Sequence, residues 1–188
     1  MEKKKISVYQ ITFMALMAAV TCILGPLALP IGPVPISLTN FVIYFTVYIL
    51  GTKDGTISYC LYLLLGAVGL PVFSGYAGGL GKLTGPTGGY LVGFIAMALV
   101  GGIVMEKAHR KMIPTLAGWV IATVVDYLFG TIWFVYVAHY TFMQALAVCV
   151  FPFIIGDCVK IVAGTVLGRE VRKALVSAGF IKIVNTAE

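Results

Sequence analysis

Along the whole chain, long runs of apolar residues alternate with short breaks that contain glycine, proline or charged residues. A helix of about 20 apolar residues spans the hydrocarbon core of a bilayer, and most of these runs approach that length. The second run is shorter, so we expect it to be tilted or extended by irregular chain. The pattern predicts six transmembrane helices, at about residues 8–25, 37–51, 54–70, 89–106, 114–138 and 143–168.

The composition favours a membrane protein over a soluble one. Of the 188 residues, 60% are hydrophobic and 11% are charged, whereas soluble domains carry about 25% charged residues. Six helices of this length use up the chain and leave no room for a separate soluble domain. We therefore predict an all-α, polytopic membrane protein, with one integral-membrane domain over residues 1–188 that is surrounded by the lipid bilayer.

The positions of the basic residues predict the orientation in the membrane. When the amino terminus is placed inside, eleven of the 13 basic residues fall on the inner side: Lys3, Lys4, Lys5, Lys53, Lys107, Arg110, Lys111, Arg169, Arg172, Lys173 and Lys182. Only Lys82 then lies outside, and only Lys160 lies within a span. Because inner loops carry an excess of Lys and Arg, we predict a cell-membrane protein with both termini in the cytoplasm. The same reasoning assigns the net charge of +6 to membrane orientation rather than to nucleic-acid binding.

The irregular connections indicate where a binding site lies. The topology places three connections outside, at residues 26–36, 71–88 and 139–142. The first two are rich in Gly and Pro, and irregular backbone near a membrane is tolerated only when it is buried in protein or lines a cavity. We therefore expect a site around the outer segment GKLTGPTGGY (81–90).

This segment does not fit a nucleotide-binding loop. The phosphate-loop motif needs Gly and Ser or Thr at the positions that Tyr76 and Leu83 occupy. Since the chain carries no ATP-binding motif, the energy for any transport must come from an ion gradient or from another subunit.

Ionisable residues inside spans are the candidates for chemistry, because a charge in a membrane is costly. Asp157 and Lys160 are three residues apart and share one helical face. They either neutralise each other or face a cavity, where Lys receives a carboxylate and Asp accepts hydrogen bonds from N–H donors. Asp126 has no basic residue nearby in the sequence, so a packing role and a ligand contact both stay open.

Other residue groups are open to more than one interpretation. Ala15 and Ala19, with Ala18 beside them, allow another helix to approach closely, either within this chain or from a partner. Aromatic residues at the outer end of the fifth span form an interfacial belt or a stacking surface: Trp133, Phe134, Tyr136 and Tyr140. The four cysteines lie in apolar segments and are interpreted as packing residues, and His109 and His139 are too far apart to suggest a metal site.

Three stretches resemble one membrane-protein family. Residues 69–94, GLPVFSGYAGGLGKLTGPTGGYLVGF, resemble the signature loop of BioY proteins, the biotin-binding substrate subunits of energy-coupling factor (ECF) transporters. PVPISLTN (33–40) is similar to the family's PVPxTLQT stretch, and FPFIIGDCVKIVAG (151–164) to its PFxPGDxxK segment. Thr39 stands where the family has Gln, Asn40 where it has Thr, and Ile155 where it has a second Pro.

The resemblance implies a fold and a mechanism. Members are six-helix proteins that capture a vitamin from outside and dock on a transmembrane coupling subunit, which two cytoplasmic ATPases drive. The substrate subunit is expected to topple in the membrane to release its cargo inside. In that scheme Ala15, Ala18 and Ala19 belong to the docking face of the first helix.

The resemblance also implies a set of ligand contacts, with biotin as ligand and no separate cofactor. Asp157 accepts hydrogen bonds from the ureido N–H groups, and Asn40 or Thr39 completes that polar set. Lys160 neutralises Asp157 or meets the carboxylate. Tyr90 closes over the bicyclic ring together with the backbone of residues 85–89, which includes Thr87, Gly88 and Gly89. The alternatives are an S component for another small vitamin, a solitary biotin transporter, or an intramembrane enzyme that uses Asp157 or Asp126.

Overall fold

The computed structural model describes residues 7–30 and 34–180, and helices dominate this part of the chain. The helices are α1 (Val8–Leu24), α2 (Thr39–Leu50), α3 (Thr52–Ala67), α4 (Leu80–Thr84), α5 (Gly88–Lys107), α6 (Met112–Ala138), α7 (Phe142–Cys149) and α8 (Ile154–Ser177). Two short strands, β1 (Ala28–Leu29) and β2 (Ile36–Ser37), pair antiparallel between α1 and α2. The predicted all-α class is confirmed.

The first five predicted spans correspond to α1, α2, α3, α5 and α6, but the sixth is wrong as a single helix. Residues 143–168 divide into α7 and α8, whose axes differ by 50°. Pro152 lies in the break and has no N–H to continue a helical hydrogen-bond ladder. The bend therefore makes α8 begin next to the irregular segments at one end of the molecule.

Helix length and composition identify candidate membrane crossings among the described helices. By length and composition, α5 and α6 are long and apolar enough to cross a membrane, and the bent pair α7–α8 adds a third span if it counts as one. Helices α1 and α2 are apolar but shorter. Six crossings therefore stay a prediction, although each predicted apolar run does contain helix.

Close packing of α5 against α6 depends on glycines at the contact. A Cβ atom on Gly101 would lie 2.2 Å from the Trp119 ring, and one on Gly130 would lie 2.2 Å from the Tyr90 ring. The aromatic rings occupy the space that side chains would fill, and Trp119 also packs on Tyr44, with ring centroids 4.9 Å apart. Aromatic rings therefore fill the α5–α6 interface at two separate places, and Tyr44 of α2 joins the cluster around Trp119.

Three of the predicted inner connections meet at one end of the bundle. The backbone N–H of Thr52 donates to Glu106 Oε1 at 2.8 Å. The guanidinium groups of Arg110 and Arg172 donate to the carbonyl oxygens of Tyr48 and Ile49 in the last turn of α2. Arginine side chains are good partners for the carbonyl groups that a helix end leaves unpaired.

This end of the bundle carries most of the described basic residues, opposite the β1–β2 hairpin. The grouping fits the predicted orientation, while the side of the membrane on which this end lies stays a prediction. Lys3, Lys4, Lys5 and Lys182, which also support that orientation, lie outside the described residues, as do the two termini.

Candidate functional site

A cavity lies at the hairpin end of the helix bundle, among the two Gly- and Pro-rich connections and the helices that follow them. Its lining atoms surround about 560 Å³ of space when the open mouth is counted, and about 60 Å³ of this space can hold the centre of a water molecule. The lining residues are Val34, Pro35, Ser37, Asn40, Ser74, Thr87, Tyr90, Leu91, Phe94, Asp126, Tyr127, Cys149, Phe153, Asp157 and Lys160.

Asp157 is the centre of a polar network in the wall of this cavity. Its Oδ1 accepts a hydrogen bond from Asn40 Nδ2 at 2.8 Å and one from Lys160 Nζ at 3.0 Å. Its Oδ2 accepts a hydrogen bond from the Tyr127 hydroxyl at 2.5 Å. The side chain is almost fully buried, so these three donors replace the water that the carboxylate loses.

Lys160 is held by three acceptors. Its Nζ donates to Asp157 Oδ1, to the Ser37 carbonyl oxygen at 2.8 Å and to Asn40 Oδ1 at 3.2 Å. An ammonium group has three N–H donors, so every donor already has a partner. In this arrangement Lys160 neutralises Asp157 and ties α8 to the end of β2, and a ligand carboxylate would have to displace one of these acceptors.

The local sequence explains how these side chains come together. The break around Pro152 makes α8 begin at Ile154, so Asp157 lies in the first turn of that helix. Asn40 lies in the first turn of α2, which begins at Thr39. Helix N-termini favour negative charge and acceptor groups. Further along α8, a Cβ atom on Gly164 would lie 3.0 Å from Tyr44 Cβ, so the glycine lets the two helices run close together.

Asp126 faces the same cavity from α6. It is 2% exposed, and its Oδ1 has no hydrogen-bond partner among residues 7–30 and 34–180. A Cβ atom on Gly93 of α5 would lie 2.4 Å from that oxygen, so the glycine provides the space that the carboxyl group occupies. Asp126 therefore lines the cavity and also packs against α5 at Gly93, and no hydroxyl group of the described residues bonds its Oδ1.

Tyr90 and Thr87, which are predicted to close over the ligand, both line the cavity. The hydroxyls of Tyr90 and Thr131 are hydrogen-bonded at 3.0 Å, which fixes the tyrosine ring. Trp133 Nε1 donates to the Gly85 carbonyl oxygen at 3.0 Å and anchors the loop to α6.

Three other predicted contact residues lie behind the cavity wall. A Cβ atom on Gly88 would lie 1.7 Å from the Leu83 carbonyl oxygen, and one on Gly89 would lie 2.3 Å from Trp133 Cβ. These glycines let α5 begin directly against α4 and α6. Thr39 is 1% exposed and its hydroxyl accepts a hydrogen bond from Ser37 Oγ at 3.2 Å, so it supports the hairpin end from inside.

The alanines of α1 do not share one face. Ala15 and Ala19 are exposed, whereas Ala18 is 3% exposed and packs inside the bundle. Among the outer aromatic residues, Phe134 is buried against Tyr140 with ring centroids 5.2 Å apart, and Tyr136 is largely exposed. The cavity lining includes no aromatic residue of that group.

Several lining residues are not assigned to a site by sequence reasoning. Tyr127 follows Asp126 directly, and Ser37 lies in the PVPISLTN stretch, so both have a signal in the sequence. Ser74 and Phe94 lie in the stretch 69–94 and Phe153 lies in the stretch 151–164, so they have the same kind of signal, whereas Cys149 joins the site only through packing. All four cysteines lie in described segments and are free, and the described residues contain no cluster of His, Cys, Asp and Glu suited to a metal ion.

Comparisons with known proteins agree on one family. The model of the BioY family matches residues 1–177. Biotin transporter BioY of Thermotoga maritima is 37% identical over 147 residues, which are 78% of this chain and 86% of that protein. Biotin transporter BioY2 of Lactococcus lactis subsp. cremoris is 32% identical over 167 residues, 89% of this chain and 92% of that protein.

A solved structure is similar over nearly the same length. It is the crystal structure of the S-component for biotin from an ECF-type ABC transporter. The TM-score is 0.82 and the sequence identity is 33%, covering 88% of this chain and 92% of that chain.

Proposed function

The chain belongs to the BioY family, and on this premise we propose that it is the high-affinity biotin-binding subunit of an ECF transporter. It captures biotin from outside the cell membrane and delivers it to the cytoplasm with a transmembrane coupling subunit and two cytoplasmic ATPases. The relatives reported above are named as transporters, which supports a transport subunit over an intramembrane enzyme. No cofactor is needed besides the ligand.

The observation that carries this proposal is the polar network of Asn40, Asp157 and Lys160 in the wall of an otherwise largely apolar cavity. Biotin has a ureido ring with two N–H donors and a carbonyl acceptor, an apolar thioether ring and a valerate tail. A few placed polar groups in an apolar pocket suit such a ligand. Asp157 accepts a ureido N–H, with Asn40 beside it.

The apolar part of the ligand has matching surfaces. Tyr90, Leu91 and Phe94 lie on one stretch of α5 and supply aromatic and aliphatic wall. Thr87 and the loop before it cover this region, and the Trp133 contact to Gly85 holds the loop in place. Gly88 and Gly89 act indirectly, because they allow the loop and α5 to pack closely.

The exposed positions Ala15 and Ala19 on α1 support a docking surface for the coupling subunit. Small residues let another helix approach its backbone closely, and both side chains point away from the bundle. Ala18 packs inside and is left out of this surface.

Equilibrium binding of radiolabelled biotin to the detergent-purified chain tests the function. Saturable binding of one biotin per chain, without conversion of the ligand, is expected. An S component for another vitamin would instead retain a different member of a vitamin panel, and absence of binding across the panel would refute the proposal. Uptake by cells that express the chain with and without a coupling module separates an ECF subunit from a solitary transporter.

A further inference from the structure

Asp126 is a buried carboxyl group of the cavity that the proposed contacts leave unused. It reaches the cavity from α6, on a different helix from Asp157. Its side chain is 2% exposed, and its Oδ1 has no hydrogen-bond partner within the described chain. A buried acceptor without a partner costs free energy, and most such groups in proteins are paired. The carboxyl group lines the cavity, so a ligand donor there can form a hydrogen bond with it.

Asp157 has little acceptor capacity left for a ligand. Its two oxygens already accept hydrogen bonds from Asn40, Lys160 and Tyr127. A carboxylate offers about four lone-pair sites, so roughly one acceptor position is free. A ligand with two N–H donors therefore needs a second acceptor elsewhere in the cavity.

The shape of a cyclic urea also requires two separate hydrogen-bond acceptors. In a five-membered cyclic urea the two N–H bonds flank the carbonyl group and point away from each other, so one carboxylate cannot accept both in good geometry. Acceptors on two different walls can do so. Asp157 on α8 and Asp126 on α6 are carboxyl groups on two different helices that line one cavity.

Building on the proposed function, we infer that Asp126 is a second ligand contact, whose carboxyl group accepts one ureido N–H while Asp157 accepts the other. Gly93 is part of this site, because a Cβ atom there would lie 2.4 Å from Asp126 Oδ1 and displace the carboxyl group. The pair of acceptors makes the site selective for a ring with two N–H groups, since a ring that lacks one leaves a buried carboxyl oxygen unpaired.

The test compares biotin with two cyclic carbamate analogues, in which a ring oxygen replaces one or the other ureido N–H. A ring oxygen only accepts hydrogen bonds, so the analogue that carries it at this position loses the hydrogen bond that the N–H donates to Asp126. In Asp126→Asn the amide N–H₂ can donate to that oxygen. For each analogue, the ratio of its Kd to the Kd of biotin is measured in the unmodified chain and in Asp126→Asn. For one of the two analogues, we expect this ratio to be about tenfold or more lower in Asp126→Asn than in the unmodified chain.

Two further variants make the result specific. Thr115→Val, on the same helix, removes a fully buried hydroxyl that also has no partner in the described chain but does not line the cavity; its ratios should stay at the unmodified value. Asp126→Ser, which is smaller and also offers an O–H donor, gives the same comparison if the Asn variant does not purify as a monodisperse protein.

A change of less than about threefold in both ratios overturns the inference, because a hydrogen bond to a buried carboxyl group is worth more than that. The outcome is separate from the proposed function. If the unmodified chain binds biotin but the ratios do not respond, only the role of Asp126 is refuted. If the unmodified chain does not bind biotin, the proposed function itself fails.

Discussion

Asn40 Nδ2 donates a hydrogen bond to Asp157 Oδ1 at 2.8 Å, although the two residues are 117 positions apart in the sequence. The bond joins the first turn of α2 to the first turn of α8. Both residues line the cavity, so this one contact couples the assembly of the bundle to the shape of the binding site.

Replacing Asp157 is expected to weaken biotin binding. Asp157→Asn removes the negative charge that pairs with Lys160. It also replaces one of the two carboxylate oxygens, which together accept three hydrogen bonds, by an amide group that donates. We expect biotin binding to become weaker by at least about 1–3 kcal/mol, the cost of leaving buried polar groups unmatched. Radioligand binding to the purified variant measures it. Lys173→Gln, which breaks only the exposed ion pair with Glu170 on the same helix, is the control and should bind normally; equal affinity in both variants would remove Asp157 from the site.

The role of Lys160 can be separated into neutralisation and ligand contact. Lys160→Met leaves the buried Asp157 carboxylate without its cation, which typically costs about 3–5 kcal/mol of stability. Combining it with Asp157→Asn removes both charges, so the double variant should be more stable to thermal unfolding than Lys160→Met alone.

Binding of biotinamide, which lacks the carboxylate, decides the second role. If Lys160 only neutralises Asp157, Lys160→Met should weaken biotin and biotinamide equally. A loss confined to biotin would show instead that the ammonium group meets the ligand carboxylate.

The α5–α6 contact should tolerate no side chain at Gly101. Gly101→Ala places a methyl group 2.2 Å from the Trp119 ring, and overpacking of this kind costs about 1–3 kcal/mol. A lower unfolding temperature in detergent is expected. Gly156→Ala is the matched control, because a Cβ atom there would meet no atom of the described chain within 4 Å outside its own helix backbone and chain neighbours, and Ala favours a helix by up to about 1 kcal/mol. Equal stability of the two variants would contradict the packing argument.

Bulky residues on α1 should distinguish the outer face from the inner one. Ala15→Trp and Ala19→Trp are expected to prevent co-purification with the coupling subunit while biotin binding persists, since both positions are exposed. Ala18→Trp should instead lower the yield of folded protein, because Ala18 is buried. A Trp at the exposed Ile132 of α6 serves as control; co-purification that survives at positions 15 and 19 would refute the docking surface.

Local patterns in the sequence determine the helical class, the apolar runs and the family. They also determine the Asp157–Lys160 pair, because residues three apart on a helix share a face whatever the rest of the fold does. The first five predicted spans correspond to helices for the same reason. The sixth shows the limit of an apolar run as a signal, since hydropathy continues through Pro152 while the hydrogen-bond ladder does not.

The tertiary structure alone decides which distant side chains meet. The contact of Asn40 with Asp157, the position of Asp126 in the cavity and the inward direction of Ala18 all depend on how each helix is rotated and crossed. Gly88 and Gly89 show the same point, because a glycine near a ligand and a glycine under a neighbouring helix look alike in sequence. Helix rotation is set by close packing between segments far apart in the chain, and that packing has no local signature in the sequence.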